Sequence, residues 1–245
     1  MIFNENCPYC KTKLNSIENH KESKTVEHLI PNSITSEKRN NNNGDFYACK
    51  NCNSNKSKMD NLVGKISKFQ SFDDNLASSA MIKEYTKEKK NTRLVDVLNS
   101  TLESKYGIYA KLPFNGEELY SYMEYLGKGQ YFKKTTKIYS KSKYIMIFKY
   151  MNKEFNIIFS DSYLKQFGSD NFKDLSKNPY SEVINNGECI IYAKENNKYL
   201  FVFHSHTTII IEIYKRCNRT QKMAIKNKQK ILNDFGNSNK FSVQV

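Results

Sequence analysis

The sequence predicts an α+β chain of two parts, a small front module over residues 1–75 and a mixed helix and antiparallel-strand domain over residues 76–245. Three observations carry this expectation. Cys7 and Cys10 in "CPYC" and Cys49 and Cys52 in "CKNC" form two C-x2-C pairs with 38 residues between them. The second pair runs into segments whose apolar residues recur at helical spacing. The C-terminal half then carries short runs rich in β-branched and aromatic residues, several of them separated by turn signals.

In the front module, "TVEHLIP" reads as a short strand, with Val26, Leu29 and Ile30 flanking a polar pair before Pro31 ends the run. "GDFYACKNC" reads as a turn and a second strand leading into the second cysteine pair. From Asn53, a residue able to cap a helix, Met59, Leu62, Val63, Ile66 and Phe69 follow at helical spacing. The module is therefore expected to be strand, strand, helix. The Asn tract at 40–43 is expected to be a loop.

Behind it, helices are expected at about 76–90, 92–105 and 116–126. Strands are expected at "KYIMIFKY", "EFNIIFSD", "GECIIYAKE", "KYLFVFHS" and "TTIIIEI". The closing "YKRCNRTQKMAIKNKQKILNDFG" reads as a basic helix stopped at Gly236.

Two C-x2-C steps suit a closed tetrahedral thiolate site, which needs four ligands. Structural Zn2+ held by Cys7, Cys10, Cys49 and Cys52 is the expectation. Six cysteines in 245 residues, with no N-terminal apolar segment, do not suggest a secreted disulfide framework. Thiols committed to metal point to a reducing compartment, and the cytoplasm is expected. No run approaches the length of a membrane span, and the greasiest stretch, "TTIIIEI", is broken by Glu212.

Lys and Arg outnumber Asp and Glu by 39 to 25, a formal +14. A polyanion is the natural partner, although a Lys- and Asn-rich composition accounts for part of the excess. The front module holds eleven basic and nine acidic residues, so +12 of the charge lies behind residue 75. In the closing helix Lys215, Arg216, Arg219, Lys222, Lys226, Lys228 and Lys230 occur with no acid among them and are candidates for DNA phosphate contacts. Tyr131, Phe132, Tyr139 and Tyr144 either stack on bases or face a core. His204 and His206 are expected on one side of a strand and have no further ligand at suitable spacing. Cys189 and Cys217 lack a local activating pattern, and His20 belongs to a polar loop.

The chemistry-bearing residues lie inside the loop that the cysteines close. Glu27 and His28 stand there, and Asn53 follows His28 by 25 residues. Hydrolysis of a phosphodiester needs a base near neutrality, a hard cation and oxygen ligands to hold it, and histidine, carboxylate and amide meet those needs. The order C-x2-C, E-H-x-x-P, C-x2-C-N-x-x-K resembles the zinc-bearing HNH endonucleases of the ββα-metal superfamily over about residues 5–60.

That resemblance implies an N-terminal ββα-metal module cutting DNA to 5′-phosphate and 3′-hydroxyl ends. It implies His28 as general base and Glu27 and Asn53 as ligands of a catalytic Mg2+, with Mn2+ able to substitute. Lys56 would be a phosphate contact or a structural lysine. Nucleases of this kind joined to an extra domain resemble restriction or phage-defence effectors, and a homodimer or a regulatory protein partner fits that pattern. Two departures stand out. Glu27 occupies a position where the family more often has Asp, and the family's middle Asn falls at Gly44, leaving Asn43 or Asp45 as candidates. The competing reading is a non-catalytic zinc-knuckle module that only binds DNA.

Overall fold

Strand β1 (Lys24–Glu27) pairs antiparallel with β2 (Phe46–Cys49), Lys24 opposite Cys49 and Glu27 opposite Phe46. The chain passes directly from β2 into helix α1 (Lys50–Phe69). Cys49 caps this helix, its sulfur accepting the Cys52 N–H at 3.5 Å, so the cap falls four residues before Asn53, the one the sequence suggests, and Asn53 sits in the first turn. A computed structural model describes the chain apart from residues 19, 38–39, 41–43, 72, 88–91, 100–101, 105–106, 110–111, 152 and 237–245. Side chains at 98, 102–104, 107–109 and 153–154 are likewise outside the description.

Helices α2 (Asp74–Tyr85) and α3 (Thr92–Asn99) follow, and then a short antiparallel pair, β3 (Leu102–Ser104) with β4 (Gly107–Tyr109). The helix expected over 92–105 therefore stops at Asn99. Gly107 opposite Ser104, followed by Ile108 and Tyr109, suits a tight strand pair better than another helical turn. Helix α4 (Gly116–Thr135) outlasts its expected end at 126 and is opened by a reciprocal cap between Asn115 and Glu118. Gly127 and Gly129 inside it serve close packing. A Cβ at Gly127 would meet Met146 Sδ at 2.8 Å, and one at Gly129 would meet Leu29 Cδ1 at 2.5 Å.

The C-terminal sheet is wholly antiparallel in the order β5 (Tyr144–Met151), β9 (Thr207–Lys215), β8 (Lys198–Phe203), β7 (Cys189–Glu195), β6 (Ser181–Ile184). Helices α5 (Lys153–Phe167) and α6 (Asn171–Lys177) separate β5 from β6, and α7 (Asn218–Gly236) closes the chain. The run "EFNIIFSD", expected as a strand, lies in α5. Phe155, Ile158 and Phe159 satisfy helical spacing as well as a strand pattern, and a short apolar run alone does not separate the two. The sequence pattern does not indicate α6 or β6.

One buried cluster holds Leu29, Ile30, Ile34, Met59, Leu62 and Ile66 from the front together with Leu119, Tyr122 and Leu126 of α4 and Phe201, Phe203, Ile209 and Ile211 of the sheet. The core is thus continuous across residue 75. Alternation along the strands sends Phe148, Tyr199, Phe201, Ile209 and Ile211 into this cluster and turns Lys149, Leu200, Val202, Thr208 and Ile210 to the other face, over which α5 and α6 lie. Tyr131, Phe132 and Tyr139 are buried, so the aromatic residues near the end of α4 are core side chains.

His204 and His206 lie in the turn between β8 and β9, not on a strand. His204 and Ser205 both take left-handed backbone, φ 48° and 61°. Both histidines are buried and clamp the front module: His204 Nε2 lies 2.8 Å from the Ile34 carbonyl, and the His206 ring meets the Gln70 carbonyl at the end of α1.

At Gly64 the loop after β1 crosses α1, and an added Cβ would lie 2.8 Å from the Ser33 carbonyl carbon. Alanine is favoured over glycine inside a helix by about 1 kcal/mol. Here overpacking against backbone, typically about 1–3 kcal/mol, opposes that gain. Gly64→Ala is expected to be destabilised by about 1 kcal/mol in urea unfolding, whereas a helix position with open space would be stabilised.

Candidate metal centre and adjoining site

Four sulfurs converge where the N-terminal turn meets the start of α1. Cys7, Cys10, Cys49 and Cys52 have their sulfurs within 4.8 Å of one another, and Cys10 and Cys49 approach to 3.7 Å. A tetrahedral zinc with Zn–S of about 2.3 Å places its ligands about 3.8 Å apart, so the cluster could hold a zinc ion with little adjustment. Among the described residues it is the only such cluster of Cys, His, Asp or Glu.

The first pair is shaped by Lys11, which takes left-handed backbone (φ 71°) and returns its N–H to the Cys7 carbonyl at 2.8 Å. Cys7, Cys49 and Cys52 are buried, while Cys10 is exposed. A hydrogen bond from Cys52 lowers the Cys7 thiol to about 5, whereas burial holds Cys49 up at about 11 and the bond to Cys7 pushes Cys52 up strongly.

The hairpin carries the remaining candidates. His28 lies just past the end of β1 and is half-buried. Asn53, one turn into α1, donates from Nδ2 to the Val26 carbonyl at 3.1 Å and to Thr25 Oγ1 at 3.0 Å. Its Oδ1 takes part in no hydrogen bond among the described residues. These bonds bring α1 to β1 only two residues before His28.

Glu27 faces inward, 1 % exposed. Its Oε1 lies 3.0 Å from Lys56 Nζ and 3.1 Å from the Tyr9 hydroxyl, and its buried Oε2 has no hydrogen-bond partner among the described residues. Lys56 is fully buried. Its ammonium also bonds both oxygens of Asp60, at 3.0 and 2.9 Å, and reaches the His28 carbonyl at 3.3 Å.

Of the two roles the sequence allows Lys56, this placement corrects the phosphate contact and leaves the structural one, because an ammonium sealed between two carboxylates cannot meet a nucleic acid. Burial pushes the Asp60 carboxyl up to about 6 and also raises Glu27, while Lys56 pulls both back toward ionisation. Tyr9 and Asp60 complete this network and were not singled out from sequence. Only Asp60 left a signal there, four residues after Lys56 on one helical face.

At the middle position the family pattern falls on Gly44, where a Cβ would lie 2.2 Å from Val26 Cγ1, so an asparagine does not fit. Asn43 lies outside the described residues. Asp45 accepts the Leu29 N–H at 2.8 Å and pairs with Lys133 at 2.7 Å, which fixes the backbone immediately after His28.

On α7 and the strand before it, Lys215, Arg216, Arg219 and Lys222 are exposed. Arg216 is partly held by the Lys141 carbonyl at 2.8 Å, and Lys228 pairs with Glu117 at 3.1 Å. No helix among the described residues is long and apolar enough to cross a membrane. The chain matches no family model, no curated protein and no solved structure.

Proposed function

We propose that the chain is a metal-dependent DNA endonuclease with His28 as general base. The observation that carries the reading is the bond from Asn53 Nδ2 to the Val26 carbonyl, which sets two residues far apart in sequence beside one another at the end of β1. The order β1, β2, α1, joined at its base by four cysteines, fits a ββα-metal module.

In this reading the His28 imidazole takes a proton from the attacking water, and Asp45 and Lys56 hold the His28–Leu29 peptide just after that ring, through the Leu29 N–H and the His28 carbonyl. Asn53 Oδ1 is the uncommitted oxygen that would be offered to Mg2+, or Mn2+ in its place, whereas Glu27, 1 % exposed and paired through Oε1 with Lys56, would have to turn outward to join it. Bound there, such an ion would supply Lewis-acid stabilisation of charge on the phosphate and the leaving oxygen. The exposed Lys215, Arg216, Arg219 and Lys222 would hold phosphates, and products would carry 5′-phosphate and 3′-hydroxyl ends. A single site needs a second copy of the chain or a second visit to cut both strands. A restriction or phage-defence role fits this activity by analogy alone.

The test is cleavage of supercoiled plasmid with Mg2+ and with EDTA. Loss of a general base typically costs about 10²–10⁴-fold, so His28→Ala is expected to retain less than about 1 % of activity with zinc content and melting temperature unchanged. Wild type that binds plasmid and leaves it intact would favour a zinc module that binds DNA without cutting.

A further inference from the structure

The second face of the five-stranded sheet does not close against its helices. Between it and α5 and α6 lies a solvent-accessible cavity of about 620 Å³, within the range of about 300–1,000 Å³ usual for small-molecule sites. Leu200, Val202 and Ile210 form its floor, and Phe159, Tyr163 and Phe172 line it from the helices. The Phe159 and Tyr163 rings stand 6.2 Å apart along α5. The roof is anchored, since Asn156 of α5 donates to the His206 carbonyl at 2.8 Å and accepts from Thr208 at 3.0 Å.

Three features separate this space from a packing fault. Protein interiors rarely keep voids larger than a water molecule, yet here Phe155 and Phe159 remain 56 % and 47 % exposed above an apolar floor. Asn171, in the lining, has a buried Oδ1 with no hydrogen-bond partner among the described residues, a state that costs about 1–3 kcal/mol unless a donor arrives. Lys149 and Lys198, also in the lining, share one carboxylate, Glu212, at 3.8 and 3.4 Å, while Asp174, the acid of the lining, is held on the helix side by the Tyr163 and Ser169 hydroxyls, so positive charge gathers on the sheet side.

We propose that this cavity binds a small planar heteroaromatic anion of the mononucleotide class. Its ring would lie between the aromatic side chains and the sheet, an amino group on that ring would donate to Asn171 Oδ1, and its anionic group would sit at Lys149 and Lys198. An apolar ligand would leave Asn171 and the lysines unmatched, and a bare anion would leave the aromatic wall unused. Stacking on aromatic side chains is the general way proteins hold a nucleobase. The site stands whether or not the N-terminal module cuts DNA.

Adenosine 5′-monophosphate is the probe, titrated calorimetrically into the full chain alongside adenosine and inorganic phosphate. One-to-one binding of the monophosphate is expected, at least tenfold weaker for adenosine and not measurable for phosphate. Leu200→Trp, which fills the floor, should abolish it, and Phe159→Ala and Lys198→Ala, at partly exposed positions, should each weaken it about tenfold with the fold retained. No binding by wild type at millimolar probe would overturn the proposal. So would equal binding by wild type, Leu200→Trp and Phe159→Ala, which would place the anion on the basic surface of α7 instead.

Discussion

Metal analysis of the purified chain is expected to return one zinc per chain for wild type and almost none for Cys49→Ala. Cys49 has two duties, as one of four converging sulfurs and as the cap of α1. A structural zinc contributes on the order of 10 kcal/mol of apparent binding energy in small modules at neutral pH, and that energy is folding energy where the ligands are otherwise unsupported. Here Cys7, Cys49 and Cys52 pack with Tyr9, Phe46 and Phe132, so chelation withdraws a cation from the middle of a hydrophobic cluster. Treatment with a strong chelator should lower the melting temperature by about 10 °C or more, given about 2–4 °C per kcal/mol for a chain of this size. Hydrogen exchange should rise over residues 7–14 and 46–56 before it rises in β7, β8 and β9. Full zinc content in Cys49→Ala would remove the four-cysteine site.

Lys56→Met should be the most damaging substitution outside the cysteines. The side chains are close in length, but the change strands Glu27 and Asp60 without their shared ammonium, and breaking a buried ion pair from one side costs about 3–5 kcal/mol. Its pH dependence gives a second reading. Asp60 is raised in the folded state to about 6, above its ordinary value of 3.8, so its contribution favours the native state most at low pH and is lost as pH rises through about 6. Without Lys56 both carboxyls move further up, because the charge that pulled them down is gone. The deficit of Lys56→Met relative to wild type should therefore be smaller at about pH 5 than at about pH 8 in urea unfolding. The double variant Lys56→Met/Asp60→Leu should lose less than the sum of the two single variants, since each removes the reason for the other. A pH-independent deficit would mean that the network is neutral in the folded protein.

Much of the cysteine cluster and of the large sheet was legible in the sequence, because both rest on local pattern. Spacing alone paired Cys7 and Cys10 with Cys49 and Cys52, and runs of β-branched and aromatic residues between turn signals found β5, β7, β8 and β9. What sequence could not supply was direction. Nothing local says that Glu27 points inward to Lys56 while Asn53 turns back to β1, because those choices depend on Tyr9 and Asp60, which come from two separate segments. The helix α5 was missed for a related reason: what holds it to the sheet is the Asn156 contact with the β8–β9 turn, about fifty residues away. Helix α4 runs past its expected end at 126 because Gly127 and Gly129 are spacers between packed layers.

The contact of Gly129 with Leu29, and the clamp of His204 and His206 on Ile34 and Gln70, also bear on how the protein is made. A ribosome releases the N-terminal segment first, and most domains begin folding as they emerge. Here the hairpin bearing His28 is complete early in synthesis, yet the surfaces that bury Leu29 and hold Ile34 are translated roughly a hundred and a hundred and seventy residues later. The growing chain therefore carries Glu27, His28 and Asn53 without the packing that fixes them until those later segments emerge, and a product terminated before them would lack it altogether.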